Sequence, residues 1–600
     1  MPDRLASLLP FPASVRPQPG FLALGSRRSV AAGPDAGSAA AAVRRALASW
    51  PWPDDSVQGR PDGQPGDHPA QEITVDIDPA RPEEGYRLDI GPGQIRITAG
   101  GAAGAFYAAQ TLRHLLPDDA WRAAPVPGEA WSVPCAEIED APALAWRGAH
   151  LDVARHFFPK RELLTLIDSL AALKLNRFHL HLTDDQGWRI ESRGYPALHE
   201  IGSHRPRTRI SLGGEQPPVY DETPHGGYYT LADLAELAAY AAQRMMTLVP
   251  EIDIPGHASA LLAAVPELGA GPGEPPRVAA DWGILPHLIS PLPGTMRFLE
   301  VVFAELLQAI PAGYVHIGGD ECVLDRWRAD PRIDAYRRDL GLASAGDLHA
   351  HFLRETADLL ADRFGARAVV WDEGFASGSG TPGGGLRPDT VVMAWRGMDI
   401  ARRAAEAGHD VIAAPVFPTY FDYYQADDDR EPAAIGGPVR AQDVAAFSPA
   451  PADWPATAAG RLIGTQFQVW TEYIRDGRAL EYMTFPRACA FAEVAWTGGP
   501  VPWSAGAGLS ESTGLSQGAG LSQGVGLSQG AGLSQRAGSP LRDRLAAHAR
   551  RLDAAGVEYR PLDGPRPWQE GGAGPRRHRA GYRVAEVVAH LDGIAAAPGP

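Results

Sequence analysis

The sequence predicts an α/β protein in which a (β/α)8 barrel follows a small α/β N-terminal domain. Three observations carry that expectation. From about Trp146 to Trp496, eight short apolar runs alternate with helical patterns, and eight such units close naturally into a parallel barrel. A doubly wound open sheet, the alternative, expects a glycine-rich phosphate loop after its first strand, and that loop is missing here. The chain's 600 residues also exceed what a single core normally organises, so at least two domains are expected.

Residues 1–140 read as the separate α/β module. Ile73 to Ile77, Tyr86 to Ile90 and Gln94 to Thr98 have strand composition, the last two joined through Gly91-Pro92-Gly93. A helix is expected over Ala102 to Leu116, with Phe106, Ala109, Leu112 and Leu116 near one face, and another near Ala39 to Trp50. Residues 141–562 read as the barrel. Its strands are expected at Arg147 to Val153, Arg177 to Leu182, Met246 to Ile252 and Gly313 to Ile317. The other four fall at Ala366 to Trp371, Thr390 to Trp395, Asp410 to Ala414 and Leu462 to Trp470. Leu163, Leu166, Ile167, Leu170 and Leu173 form the stripe of one intervening helix. Thr230 with Asp233 three residues on signals the start of another.

A low-complexity insertion spans about residues 504–538, where Gly-Leu-Ser-Gln-Gly-Ala or a close variant recurs every six residues from Gly514. A hexapeptide β-helix would need more coils to bury a core, so a flexible surface insertion is expected. Leu541 to Ala555 then reads as the last barrel helix, and residues 563–600 as a C-terminal tail, partly disordered.

Composition narrows the function classes. Hydrophobic residues make up 44% and charged residues 21%, as in ordinary folded proteins. A formal charge of −17 argues against nucleic acid as a partner, because no basic stripe can neutralise phosphates. Cys135, Cys322 and Cys489 are too few and too scattered for a disulfide framework or a zinc site. No run of eighteen apolar residues suggests a membrane span. Leu5 to Leu9 is cut off by Pro10 and Pro12, too short for a signal-peptide core, so a cytoplasmic location is expected, with secretion left open.

The most telling segment is His316-Ile317-Gly318-Gly319-Asp320-Glu321. It sets two adjacent carboxylates just past a strand, behind glycines that let the backbone turn. Paired carboxylates at a strand end suit glycosidic-bond chemistry, which needs a proton donor and a means of stabilising a cationic sugar. The rival reading has Asp320 capping the next helix and Glu321 in its first turn. The other strand ends decide against it, since in a barrel they face one common site. They deliver Asp152 and Arg155, then Asp184, Asp185 and Trp188, then Glu251, Asp253 and His257. Trp371-Asp372-Glu373 and Trp395-Arg396 end the fifth and sixth strands, Tyr420 and Asp422 follow the seventh, and Trp470 and Glu472 the eighth. Indoles stack on apolar sugar faces, while carboxylates and arginine bond hydroxyls.

Three motifs carry a family resemblance: Gly148 to Phe157 (GAHLDVARHF), Lys174 to Arg189 (KLNRFHLHLTDDQGWR) and the run His316 to Glu321. They resemble family-20 glycoside hydrolases, the β-N-acetylhexosaminidases, and the likeness extends from the N-terminal module to about Leu562. That family departs from the two-carboxylate scheme by substrate-assisted hydrolysis. The resemblance implies that Glu321 is the general acid and base, and that Asp320 orients the substrate's 2-acetamido group and stabilises an oxazolinium ion. It implies that Tyr420 donates to the acetamido oxygen, that Trp371, Trp395 and Trp470 wall in the sugar, and that Arg155, Asp422 and Glu472 hold its outer hydroxyls. Asp184 and His257 would stand behind Glu321. It implies exo-acting retaining hydrolysis of terminal non-reducing β-linked GlcNAc or GalNAc, with no metal or cofactor, by a monomer or homodimer. A disaccharide-releasing relative would share most of these motifs. Ala434-Ile435-Gly436-Gly437 stands where some members carry a further pocket tryptophan, which leaves the lining of the leaving-group side open.

Each residue also has a plainer reading. Arg155 could simply pair with Asp152, His257 could be a helix-start histidine after Pro255-Gly256, and any one tryptophan could be core. Asp185 and Asp253 are expected to be structural, bonding loop amides. His179 and His181, on one strand face, could share a metal, but tryptophans occupy later strand ends where further ligands would be needed. A silent sugar-binding protein would have no need of an acid beside an acetamido-orienting carboxylate.

Overall fold

Residues that alternate between pleat faces and residues that repeat every third or fourth position segregate along the chain, and the architecture follows that segregation. The computed structural model describes residues 4–24, 28–48, 50, 71–126, 131–212, 216–377, 385–504 and 539–571. The N-terminal module holds β1 (Ser14–Leu24), β2 (Arg28–Ala32), α1 (Gly37–Ala48), β3 (Gln71–Ile77), β4 (Tyr86–Ile90), β5 (Ile95–Ala99), α2 (Ala102–Leu115) and β6 (Trp131–Asp140). Its strands form one sheet in the order β1-β6-β4-β5-β3-β2.

The second domain opens with β7 (Trp146–Asp152), α3 (Lys160–Ala172), β8 (Arg177–His181), α4 (Leu231–Ala242), β9 (Thr247–Glu251), α5 (Pro293–Ala309) and β10 (Tyr314–His316). It continues through α6 (Ala345–Phe364), β11 (Arg367–Trp371), β12 (Val391–Ala394), α7 (Met398–Glu406), β13 (Val411–Ala413), β14 (Leu462–Phe467), α8 (Arg487–Thr497) and α9 (Leu541–Ala555). Strands β7 to β14 pair in parallel, each with its successor, and β14 closes on β7. All eight expected strands exist, trimmed by a few residues. Their apolar side chains are buried on both faces, as a parallel barrel covered by helices requires.

The helices form for the reasons their sequences give. Leu163, Leu166, Ile167 and Leu170 of α3 are the buried stripe. Thr230 and Asp233 form the capping box of α4, with Asp233 N donating to Thr230 Oγ1 at 3.0 Å and Thr230 N to Asp233 Oδ2 at 3.1 Å. Gly365, in the left-handed region at φ 66°, stops α6.

The sequence patterns miss β1, β2 and β6, the first and the last for visible reasons. Pro17, Pro19 and Gly20 interrupt β1, which lies at a sheet edge and bulges between Pro17 and Phe21. Pro134 similarly breaks up β6, a ten-residue strand. The two domains meet at the N-terminal ends of the barrel strands. There Arg147 Nη2 reaches Glu84 Oε1 at 2.7 Å and Lys174 Nζ reaches Asp140 Oδ2 at 3.1 Å, while Trp496 Nε1 donates to Asp140 Oδ1 at 2.9 Å. One continuous apolar cluster runs through both domains.

The repeat insertion lies outside the described residues, apart from its first position. Residues 563–571 of the tail are described and pack back: Gly571 N donates to Arg430 O at 3.0 Å and Gln569 Nε2 to Glu558 Oε2 at 2.9 Å. Among the described residues, no helix is long and apolar enough to cross a membrane.

Candidate active site

The turn after β10 is built by backbone that only certain residues tolerate. Gly318 and Gly319 have φ of 64° and 98°. A Cβ on Gly318 would lie 1.6 Å from Asp253 Oδ1, so the position admits glycine alone. Glu321 (φ 48°) and His257 (φ 49°) also sit in the left-handed region. Non-glycine residues there are strained, and such strain clusters where a fold over-determines a functional geometry. Asp320 and Glu321 cap no helix: the next begins at Asp325.

His257 joins these carboxylates to the next layer. Its Nε2 is 3.4 Å from Glu321 Oε2 and 3.8 Å from Asp320 Oδ2. Its Nδ1 is 3.3 Å from both Asp184 Oδ1 and Asp185 Oδ2. His257 is therefore not merely a histidine at a helix start. Burial disfavours its charge, but Asp184 and Asp185 on one side and Glu321 on the other raise its pKa well above the ordinary value. Asp184 Oδ2 in turn takes Arg155 Nη2 at 2.8 Å and His181 Nε2 at 3.0 Å. Despite burial, Arg155 and His257 hold Asp184 well below the usual carboxylate range. Arg155 also reaches Asp152 Oδ2 at 3.4 Å and Gln186 Oε1 at 3.2 Å, so its pairing is shared rather than confined to Asp152.

Beneath this lies a hub the sequence reading did not anticipate. Glu251, fully buried, has His181 Nδ1 at 2.5 Å and His179 Nε2 at 3.1 Å from Oε2. His316 Nδ1 is 2.8 Å from its Oε1, and Trp371 Nε1 donates to the same oxygen at 3.1 Å. Burial opposes ionisation, yet the three histidines hold Glu251 well below its ordinary value. A run of alternating acid and imidazole thus leads from Glu251 through His181, Asp184 and His257 to Glu321. The alternation His179-Leu180-His181 was its visible signal, and the partner, Glu251, comes from a different strand.

The walls are aromatic. Trp371 and Trp470 have ring centroids 5.9 Å apart, Trp470 and Tyr420 6.3 Å, and Tyr420 and Trp395 6.3 Å with planes 29° apart. Trp395 Nε1 donates to Glu373 Oε2 at 2.8 Å, and its backbone N–H to Asp372 Oδ2 at 2.9 Å. Arg396 Nε donates to Asp372 Oδ1 at 2.5 Å, which fixes this loop. Burial, helped by Asp422, keeps Tyr420 a neutral phenol, its pKa raised well above the ordinary value. Arg155 Cζ lies 5.0 Å over the Trp470 ring, which ties the aromatic wall to the charged side. Asp422 and Glu472 lie beyond it. Burial raises both, Asp422 with the Glu472 charge adding to the effect and Glu472 with Arg155 opposing it.

Arg155, Asp184, His257, Asp320, Glu321, Trp371, Trp395, Tyr420, Asp422, Trp470 and Glu472 therefore all lie at the C-terminal mouth of one barrel. Trp188 does not: it is buried against Phe298, its indole N–H donating to Ile190 O at 2.8 Å. Asp185 does bond a loop amide, accepting from Ser259 N at 2.9 Å. Asp253 does not, which corrects the expectation for it: neither of its carboxyl oxygens has a hydrogen-bond partner among the described residues. Among the described residues, four His and carboxylate groupings bring ligand atoms within 4.8 Å, one of them His181, Asp184 and Asp253. Most of these donors are already committed to Arg155, Trp371 or one another.

Comparison with known proteins agrees with this geometry. The family model for glycosyl hydrolase family 20, catalytic domain, matches residues 144–499, and that for domain 2 of the same family matches residues 6–141. The chain belongs to glycosyl hydrolase family 20. A beta-hexosaminidase of Porphyromonas gingivalis is 38% identical over 430 residues, which is 71% of this chain and 52% of that one. The chain thus spans about half the length of that relative. A beta-hexosaminidase of Akkermansia muciniphila is 35% identical over 70% of this chain and 80% of its own. Among solved structures, Streptomyces plicatus N-acetyl-beta-hexosaminidase in complex with Thio-NAglucal aligns with TM-score 0.70 and 29% identity. That alignment covers 94% of this chain and 98% of the Streptomyces chain.

Proposed function

We propose that the protein is an exo-acting β-N-acetylhexosaminidase that removes terminal non-reducing β-linked GlcNAc or GalNAc with retention of configuration. The observation that carries this is the pairing of Asp320 and Glu321 on one side of the pocket, with His257 Nε2 facing both at 3.8 Å and 3.4 Å. Two adjacent carboxylates suit a reaction in which the substrate supplies its own nucleophile, as is characteristic of the family.

Glu321 protonates the glycosidic oxygen while the substrate's acetamido carbonyl oxygen attacks C1. The C1–O bond breaks, the alcohol departs, and a bicyclic oxazolinium ion forms. Glu321 then takes a proton from water as that water adds to C1 from the face the alcohol left. The ring reopens, and the acetamido group and β configuration are restored. Asp320 lies against the acetamido N–H and balances the positive charge that develops there. Tyr420, held neutral, donates to the acetamido oxygen. Trp371, Trp395 and Trp470 wall in the acetamido methyl and the sugar face, and Arg155, Asp422 and Glu472 hold the outer hydroxyls. Glu321 is the more exposed carboxylate, its side chain 23% accessible against 13% for Asp320, which suits a group that must exchange protons with water.

Release of p-nitrophenol from the GlcNAc, GalNAc, galactose and disaccharide β-glycosides tests the reading. It predicts activity on the first two alone. Activity on galactoside would overturn the acetamido requirement, and activity on the disaccharide glycoside alone would replace exo-hexosaminidase with disaccharide release.

A further inference from the structure

Behind Asp320 stands a carboxyl group that the chemistry above leaves unused. Asp253, two residues past β9, is 2% exposed. Its backbone N–H is spent on Thr183 Oγ1 at 3.0 Å, and among the described residues neither carboxyl oxygen has a hydrogen-bond partner. The side chain is wedged against the turn that carries Asp320, which is why Gly318 has no room for a Cβ. Asp320 Oδ1 is likewise buried and has no hydrogen-bond partner among the described residues. One oxygen of each, together with a His257 nitrogen, lies within 4.8 Å of the others. Two buried carboxylates this close disfavour each other's ionisation, and an orphaned buried acceptor is costly. One proton between them resolves both difficulties.

We propose that Asp253 is a positioning residue for Asp320: as a protonated acid it donates its hydroxyl hydrogen to Asp320 Oδ1, so that the pair carries one negative charge and Asp320 turns Oδ2 to the pocket. The charged and titratable groups around Asp253 fit this assignment. Burial, then the Asp320 charge, raises Asp253 well above its ordinary value; His257 pulls it down, Glu251 pushes it up, and His181 pulls it down. The Cys322 thiol, half-buried nearby and raised well above its ordinary value, contributes no charge. Burial and the Glu321 and Glu251 charges, opposed by His257, push Asp320 only up to about 6, so it is the member that ionises first. The Asp253–Asp320 pair then meets a cationic intermediate with one oriented negative charge, while Asp253 touches no substrate.

The role of Asp320 in this inference rests on the proposed function; the shared proton does not. Infrared difference spectra of the full chain with isotope-labelled aspartate, wild type minus Asp253→Asn at pH 7, should show a protonated carboxylic acid band that the variant lacks. Asn is isoelectric with the protonated acid and keeps an N–H donor, so kcat should stay within about threefold and the acid limb of kcat/KM should not move. Asp253→Ala removes the donor: kcat should fall about 10- to 100-fold, the acid limb should rise, and preference for a thiazoline analogue over GlcNAc should shrink. Absence of the band overturns the proposal. So does an Asn variant whose acid limb falls by a pH unit or more, since that would mean a negative charge had been removed. The spectrum needs no turnover, so a protein that shows the band yet cleaves no N-acetylhexosaminide refutes the function and leaves the shared proton standing.

Discussion

Replacing Asp184 with Asn removes the charge that Arg155, His181 and His257 share, at 2.8, 3.0 and 3.3 Å. Breaking a buried ion pair by deleting one partner costs about 3–5 kcal/mol, because the other is left uncompensated. Here Arg155 keeps Asp152 and Gln186, and His181 keeps Glu251, so the lower end, about 3 kcal/mol, applies. At about 2.1 cal/mol/K per residue, a barrel of roughly 400 residues then loses about 3–4 °C in Tm. The sign with pH is fixed by the lowered pKa of Asp184. Its contribution is fully present above the unfolded carboxylate value near 3.8 and is lost as pH falls toward the lower folded value. The Tm gap between wild type and Asp184→Asn, followed by differential scanning fluorimetry, should be full at pH 7 and shrink below about pH 4. Activity should fall too, since His257 loses one of the two carboxylates behind Nδ1 that aim Nε2 at Glu321 and keeps only Asp185. Equal Tm values at pH 7, or a gap that widens in acid, would refute the shared-charge reasoning.

Three further outcomes follow from the same geometry. Glu321→Gln removes the proton but keeps the shape; kcat should fall about 10²- to 10⁴-fold for natural glycosides and much less for p-nitrophenyl ones, as compared in paired assays. With Asp320 pushed up to about 6, kcat/KM should decline as pH drops through that value, because a protonated Asp320 cannot balance the oxazolinium charge; a pH–rate profile flat from 7 to 5 would contradict this. Gly318→Ala places a Cβ 1.6 Å from Asp253 Oδ1, in a left-handed backbone region, and should abolish activity and lower soluble yield, measured against Gly313→Ala, where the Cβ meets open space.

The barrel was legible because parallel strands covered on both faces must be continuous apolar runs, and those runs end at the mouth that holds the candidate site. Asp320, Glu321, Tyr420 and the tryptophans Trp371, Trp395 and Trp470 stand at those ends, and the roles expected of them came from the family resemblance. Strands β1 and β6 were hidden by Pro17, Pro19 and Pro134, which edge positions and bulges tolerate but propensity does not expect. Trp188 misled because a strand-end position does not reveal which way an indole turns. The convergence of His181, His179, His316 and Trp371 on Glu251 joins five residues from four strands. No local pattern encodes such a meeting. Asp253 was misread for the same reason: what marks it is that its carboxyl oxygens find no hydrogen-bond partner among the described residues, which only the folded neighbourhood displays.

The central claim is that the substrate's acetamido group, not a carboxylate of the protein, attacks the sugar. Inhibition by a thiazoline analogue of the oxazolinium ion, measured on wild type, Asp320→Asn and Tyr420→Phe beside a fluorosugar trapping experiment read by mass spectrometry, tests it most directly. The account predicts that the thiazoline binds wild type far more tightly than GlcNAc does. It predicts that Asp320→Asn weakens that preference more than Tyr420→Phe, and that no sugar ester forms on any carboxylate. A fluorosugar covalently attached to Asp320 or Glu321 would contradict it.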